Sequence, residues 1–278
     1  MAYGLTLDQV RKTNRPVPVT TSWGSMTSLT EMDEYAMCRI DILPGAGQPL
    51  HFFASEYQAF VESGEVIART LDGAGRPQAG AVSAGEVLPL PRFHVHGFSS
   101  ASGAVVYLFG SRSAEGFHTF AVETEEAAAA AFGALSSSEL PHHGRPTTDV
   151  REKYWGRIET ILSDEVAAKR IFVQKGGQGS LEFHVEKRET YYVHSGLVKL
   201  GLRIGRAENH SFVMGPGESY DVRPGVMHLR IGLEDTVIVE VSTRDSDSDS
   251  YLVEDGQTYR HVDADQTSTT TEKQEQQT

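Results

Sequence analysis

Glu182, His184, Glu189 and His228 are the residues whose types and spacing point most directly to chemistry. Glu182 and His184 are two apart, so on a β-strand they project from one face. Glu189 follows five residues after His184, far enough to round a tight bend and return on the same side. His228 arrives from a second hairpin, past Gly217 and the Pro224-Gly225 turn. Imidazole and carboxylate together suit a divalent cation such as Fe, Mn, Zn, Ni or Co. Two His with one carboxylate form the facial set of non-haem iron oxygenases. Glu182 has three readings: a fourth ligand, a general base or hydrogen-bond partner to bound water, or an inward carboxylate paired with Arg203 or Arg230. Strand alternation places Tyr191 on the Glu189 face and Arg230 on the His228 face. There Tyr191 can donate a hydrogen bond or proton, and Arg230 can attract a carboxylate or phosphate. Glu189 is flanked by Thr190, Tyr191, Tyr192 and Val193, and a carboxylate in so apolar a setting is costly unless paired or metal-bound.

The stretch SLEFHVEKRETYYVHSG resembles the first motif of the cupin superfamily, and GPGESYDVRPGVMHLRIG resembles the second. His184, Glu189 and Gly196 keep the spacing of the first motif, with Glu182 where its leading His is expected. The second motif runs from Gly217 to His228, with Arg223 at its usual Pro. Tyr154-Trp155-Gly156, RETYYVHSG and the closing EVST of Glu240 to Thr243 are similar to small cupins related to mannose-6-phosphate isomerase and to sugar-nucleotide pathways. The resemblance spans roughly residues 151–262. It implies a double-stranded β-helix barrel with a divalent metal held by His184, Glu189 and His228, joined by Glu182 or leaving it as base. Pairing through sheet edges, as cupins often do, implies a homodimer.

Composition bounds the rest. The 278 residues suffice for one large domain or two ordinary ones, and a hydrophobic share of 39 % is that of a soluble globular protein. No apolar run approaches the roughly 20 residues of a membrane span. The N-terminus has no apolar stretch of the signal-peptide kind. One cysteine, Cys38, excludes an internal disulfide and fits a reducing, cytoplasmic setting. A net charge of −13 argues against a nucleic-acid partner, and its plain reading is solubility.

Sliding the chain against itself by 132 residues superposes Gly45 on Gly177, Ser63-Gly64 on Ser195-Gly196, Gly85-Glu86 on Gly217-Glu218 and His96 on His228. Recurrent turn glycines at one long period indicate two copies of a whole domain. In that register Leu50 falls on Glu182, Phe52 on His184 and Tyr57 on Glu189, so the first copy is expected to lack a metal. His51 and Glu56 lie one residue out of phase. A one-residue bulge would turn them inward beside His96 and restore a site.

The expected fold is therefore all-β: two tandem cupin barrels, residues 1–122 and 151–262, with a connecting helix. The helix is expected at 123–135, where Ala-rich sequence follows Thr124, Glu125 and Glu126, and a polar linker at 136–148. A disordered tail is expected from Asp263 to Thr278. The leading function is a metal-dependent isomerase or epimerase acting on a small sugar-like or hydroxy-carbonyl substrate, with Glu182, Tyr191 and Arg230 as catalytic candidates. An Fe(II) oxygenase and a non-catalytic small-molecule binder are the alternatives.

Overall fold

The computed structural model describes residues 13–71, 77–111, 120–121, 143–146 and 149–263. The expected helix at 123–135, most of the linker and the tail beyond Asp263 lie outside these residues. The chain divides into two compact units. One comprises Pro16–Thr148 with Ile161–Val166, the other Met1–Arg15, Asp149–Thr160 and Ala167–Thr278.

The first unit is built from β1 (Val19–Thr21), β2 (Gly24–Glu31), β3 (Ala36–Ile42), β4 (Ala46–Gly47), β5 (His51–Phe52), β6 (Tyr57–Leu71), β7 (Pro77–Ser83), β8 (Val87–Leu90), β9 (His96–Ser100), β10 (Ala104–Gly110) and β11 (Phe120–Ala121). These form one curled antiparallel sheet, because the 15-residue β6 serves two ladders. Its first half pairs with β10 and β8, and its second half with β7 and β9. The change of partner falls at Gly64, just past a bulge at Glu62 that interrupts the β6–β10 register.

The second unit uses β12 (Val150–Lys153), β13 (Gly156–Ser163), β14 (Val166–Val173), β15 (Leu181–Phe183), β16 (Glu189–Ser195), β17 (Val198–Ile204), β18 (His210–Met214), β19 (Ser219–Val222), β20 (Val226–Gly232), β21 (Thr236–Thr243) and β22 (Tyr251–Glu254). They form a six-stranded sheet ordered β12-β13-β14-β21-β16-β19 and a five-stranded sheet ordered β18-β17-β20-β15-β22. Here the strand equivalent to β6 is broken at Gly196 into β16 and β17, one in each sheet. Tyr191, Val193 and Ile238 from the first sheet meet Val198, Leu200, Leu202 and Val226 from the second in one core. Each fully buried aliphatic side chain there is worth about 1.5–3 kcal/mol.

The duplication is written in the backbone. Gly85 donates to Val61 and Val61 to Glu86 in the first unit, as Gly217 donates to Val193 and Val193 to Glu218 in the second. The 132-residue offset nevertheless fails locally. The β2–β3 hairpin carries one extra residue, absorbed by a register shift between Ser28 and Thr30. From there to residue 53 the copies match one position short of the offset, so Gly45 corresponds to Gly176 and not to Gly177. Both glycines are left-handed and bond to matching carbonyls, Ser100 and Gly232. A shorter loop before Tyr57 restores the original phase.

Two boundaries also differ from expectation. Asn14 exchanges both backbone hydrogen bonds with Ser219 and so belongs with the second barrel. Asp263 bonds to Lys199 and Ser211, so the anchored chain includes the first residue assigned to the tail.

Gly196 and Gly217 both have positive φ, but a Cβ on Gly196 would lie 2.2 Å from the Asp235 carbonyl oxygen, whereas one on Gly217 meets nothing within 4 Å. Gly217→Ala should cost about 1–2 kcal/mol of stability from backbone strain alone. Gly196→Ala should cost about 3 kcal/mol or more in urea unfolding. Equal losses would show that the β16–β17 turn yields freely.

Candidate metal centre

The second barrel assembles its site from both sheets. β15 and β20 pair so that Glu182 faces His228 across the ladder. Glu189 opens β16 in the other sheet, and His184 sits just past the end of β15. The candidate ligand atoms of His184, Glu189 and His228 all lie within 4.8 Å of one another, and all three residues are buried. Among the described residues this is the one such grouping.

Each histidine is fixed through its other nitrogen. His184 Nδ1 donates to the Asp249 carbonyl at 2.9 Å, and His228 Nδ1 to the Val226 carbonyl at 3.0 Å. That choice of donor leaves Nε2 of each ring as the lone pair offered to the site. His228 Nε2 lies 2.8 Å from Glu189 Oε1. His184 Nε2 is 3.6 Å from the same oxygen. Two imidazole nitrogens and a carboxylate oxygen converging in this way are the donor set a divalent cation fits.

Glu189 is the junction of a buried chain of alternating charge. Its Oε2 pairs with Lys187 Nζ at 2.8 Å, and the same ammonium meets Glu240 at 2.8 Å and Asp245 at 3.0 Å. Lys169 closes that end against Asp245 at 2.7 Å. On the other side Tyr191 donates to Glu189 Oε1 at 2.8 Å and accepts from Arg230 at 3.0 Å. Arg230 then pairs with Glu182 at 2.7 Å. Burial alone would raise the Glu189 carboxyl, but Lys187 and His228 hold it well below the usual carboxylate range. Burial would likewise lower His228, and Glu189 lifts it above its ordinary value. Burial and the nearby Glu189 keep the Tyr191 phenol protonated, against the opposing pull of Arg230.

The three catalytic candidates take different places around this group. Glu182 stands outside the three-ligand group and is committed to Arg230 instead of Arg203, which pairs with Glu254. Tyr191 does not line the cavity; it orients Glu189 from behind. Arg230 does reach the cavity, held between the Trp155 and Tyr191 rings at 5.5 and 5.4 Å. The cavity holds 330 Å³ and is bounded by Trp155, Ile158, Glu182, His184, Glu189 and Arg230, with Tyr154 and Leu252 among its apolar rim.

In the first barrel the one-residue shift brings His51, and not Leu50, to the position of Glu182. His51 faces His96 across β5–β9 as Glu182 faces His228, and the two rings are 4.4 Å apart. Phe53 and Tyr57 then stand where His184 and Glu189 stand. A different bulge, in β2, brings His51 alone beside His96. Glu56 remains exposed.

Sequence reading missed Lys187, Lys169, Glu240, Asp245 and Asp249. Glu240 had a signal, as a lone carboxylate inside the apolar run TVIVEVS. Lys187 had one too, two residues before Glu189 and hence in phase with it. Asp245 and Asp249 had none, because the acidic run DSDSDS reads as solvated surface.

Burial would raise the Asp245 carboxyl, but Lys187 and Lys169 push it down to about 2. A depressed carboxyl contributes stability above its unfolded value of about 3.9 and loses it as pH falls through the folded one. In metal-stripped protein Asp245→Asn should cost about 1–2 kcal/mol near neutrality, after discounting for partial solvent screening. The gap should close between about pH 4 and about pH 2. A gap independent of pH would assign the loss to packing.

No protein-family model matches the sequence, and a comparison with curated proteins finds no match. Solved structures do match. The oxalate decarboxylase of Lactobacillus farciminis in its formate complex has 18 % identity and a TM-score of 0.62, covering 92 % of this chain and 88 % of that one. Oxalate decarboxylase from Bacillus subtilis at pH 4.6 has 18 % identity and a TM-score of 0.63, covering 90 % and 77 %. These matches span both units, and the fold they share with this chain is the bicupin: two cupin barrels in tandem.

Proposed function

We propose that the second barrel is the active centre of a metal-dependent enzyme acting on a small polar substrate that carries a carbonyl or carboxylate. The observation that carries this reading is the convergence of His184, Glu189 and His228, with both Nδ1 atoms already spent on backbone carbonyls. A divalent cation held there would supply Lewis-acid polarisation of a substrate oxygen.

The chain's own groups fill the remaining roles. Lys187 occupies one oxygen of Glu189, so only Oε1 faces the ligand group. The cavity wall carries five cationic side chains (Arg151, Lys153, Lys169, Lys187, Arg230) against five carboxylates (Glu182, Glu189, Glu240, Asp245, Asp247). A bound dication therefore leaves the wall net positive, which favours an anionic or enolisable substrate. Arg230 orients that substrate from a fixed position between two rings. Glu182 lines the cavity as a carboxylate, since Arg230 and His228 hold its pKa down against burial. On this reading it accepts the proton that an isomerase or epimerase step moves.

A second reading is oxygen-dependent or decarboxylating chemistry on a small carboxylic acid. It draws on the fold neighbours, one of which is described by its Mn(II) centres. Turnover with Mn or Zn in the absence of oxygen would favour proton transfer, and a strict oxygen requirement would favour the second reading.

Mass-spectrometric metal analysis of purified protein tests the common ground. About one divalent metal per chain is expected in the wild type, lost in both His184→Ala and His228→Ala. A wild type that holds no metal even after reconstitution would overturn both readings and leave a binding role.

A further inference from the structure

The five residues from His184 to Arg188 form the turn between β15 and β16 and carry one candidate ligand, with Glu189 as the next residue. A turn of this kind must find partners for its backbone N–H groups outside the ladders. One residue supplies most of them. The Asp249 carboxylate accepts from Val185 at 2.8 Å, from Glu186 at 3.1 Å and from Lys187 at 2.8 Å. The backbone carbonyl of the same residue accepts the Nδ1 proton of His184 at 2.9 Å. Asp249 thus fixes both the path of the turn and the rotation of the His184 ring.

Asp249 belongs to a segment that grips the site at further points. Asp245 pairs with Lys187, and the Ser250 hydroxyl lies 3.4 Å from Glu182 Oε2. Between these contacts the segment is a single 3₁₀ turn, Asp247–Asp249, with no buried residue of its own. It is therefore attached to the barrel by polar contacts, with little apolar burial, and its detachment exposes little core.

We propose that Asp249 is the positioning residue of the metal centre, and that residues 245–250 are a clasp whose docking is coupled to metal occupancy. The inference rests on the metal reading of His184. Docking fixes the His184 ring in its ligating orientation, and a metal bound to that ring keeps its Nδ1–H directed at the Asp249 carbonyl. By thermodynamic reciprocity, each event strengthens the other by the same factor.

The test is Co(II) titration of metal-free protein, followed by its visible absorption, with hydrogen exchange read at residues 185–187 and 245–250. Asp249→Ala should weaken Co(II) binding roughly 10- to 100-fold, as loss of a ligand's supporting partner does. It should also shift the Co(II) band and unprotect the three amides. Asp249→Asn, which keeps an acceptor oxygen, should recover part of the affinity, and Ser248→Ala should behave as wild type. In the wild type, Co(II) should slow exchange across 245–250. An Asp249→Ala protein with wild-type affinity and spectrum would overturn the proposal, as would exchange at 245–250 that ignores occupancy. Should Asp249→Ala fail to fold, Asp249→Asn and the wild-type exchange experiment still decide. A wild type that never binds Co(II) would sink the metal reading itself and the coupling with it, a result distinct from a variant that binds normally.

Discussion

The second barrel is organised around a single buried carboxylate. Glu189 is only 1 % exposed, so its charge is tolerable only because it is compensated from two sides. Lys187 neutralises one oxygen. Tyr191 and His228 approach the other, and behind Tyr191 stands Arg230. Removing any neighbour leaves a charge stranded in the barrel, which is why the chain runs on through Glu240, Asp245 and Lys169 until it reaches groups nearer to water. The cost of burying Glu189 thus dictates residues on β14, β16, β20 and β21 and in the segment that follows. The candidate site is the place where this chain is left open.

The first barrel shows what the same scaffold does without that carboxylate. Tyr57 takes the place of Glu189, and no equivalent of Lys187 is then required. Phe53 replaces His184 and packs against Tyr57 and His96, giving an aromatic interior. His51 and His96 survive side by side, each with Nδ1 on a nearby carbonyl. Burial lowers both of their pKa values, most strongly for His96, so both are neutral near physiological pH. The two barrels therefore share backbone, turn glycines and one conserved-in-place histidine, yet differ in whether charge is admitted to the interior.

Much of this was legible in the sequence, for definite reasons. Period-two alternation and turn glycines such as Gly64, Gly85, Gly196 and Gly217 are local constraints, and local constraints survive in a single chain. The spacing of His184, Glu189 and His228 was readable because all three lie in or beside regular strands. The phase of His51 was not, since it depends on a bulge between Ser28 and Thr30, more than 20 residues away. A one-residue insertion in one strand of a hairpin leaves no local mark where its effect appears. The role of Asp249 was equally hidden. Its partners lie 62 to 65 residues away, and its own surroundings are serine and aspartate.

Glu182 bears most directly on what this fold can do here. A histidine at that position adds a fourth neutral ligand and leaves the cavity to the substrate and the metal. A glutamate adds a charge that must be matched, and Arg230 matches it at 2.7 Å. The pair then lies in the cavity wall, where an entering carboxylate competes with Glu182 for Arg230. Displacement would free the Glu182 carboxylate as substrate binds, and under the proposed function that carboxylate is the proton acceptor. On that reading the Glu182–Arg230 pair thus favours a substrate that brings a carboxylate of its own.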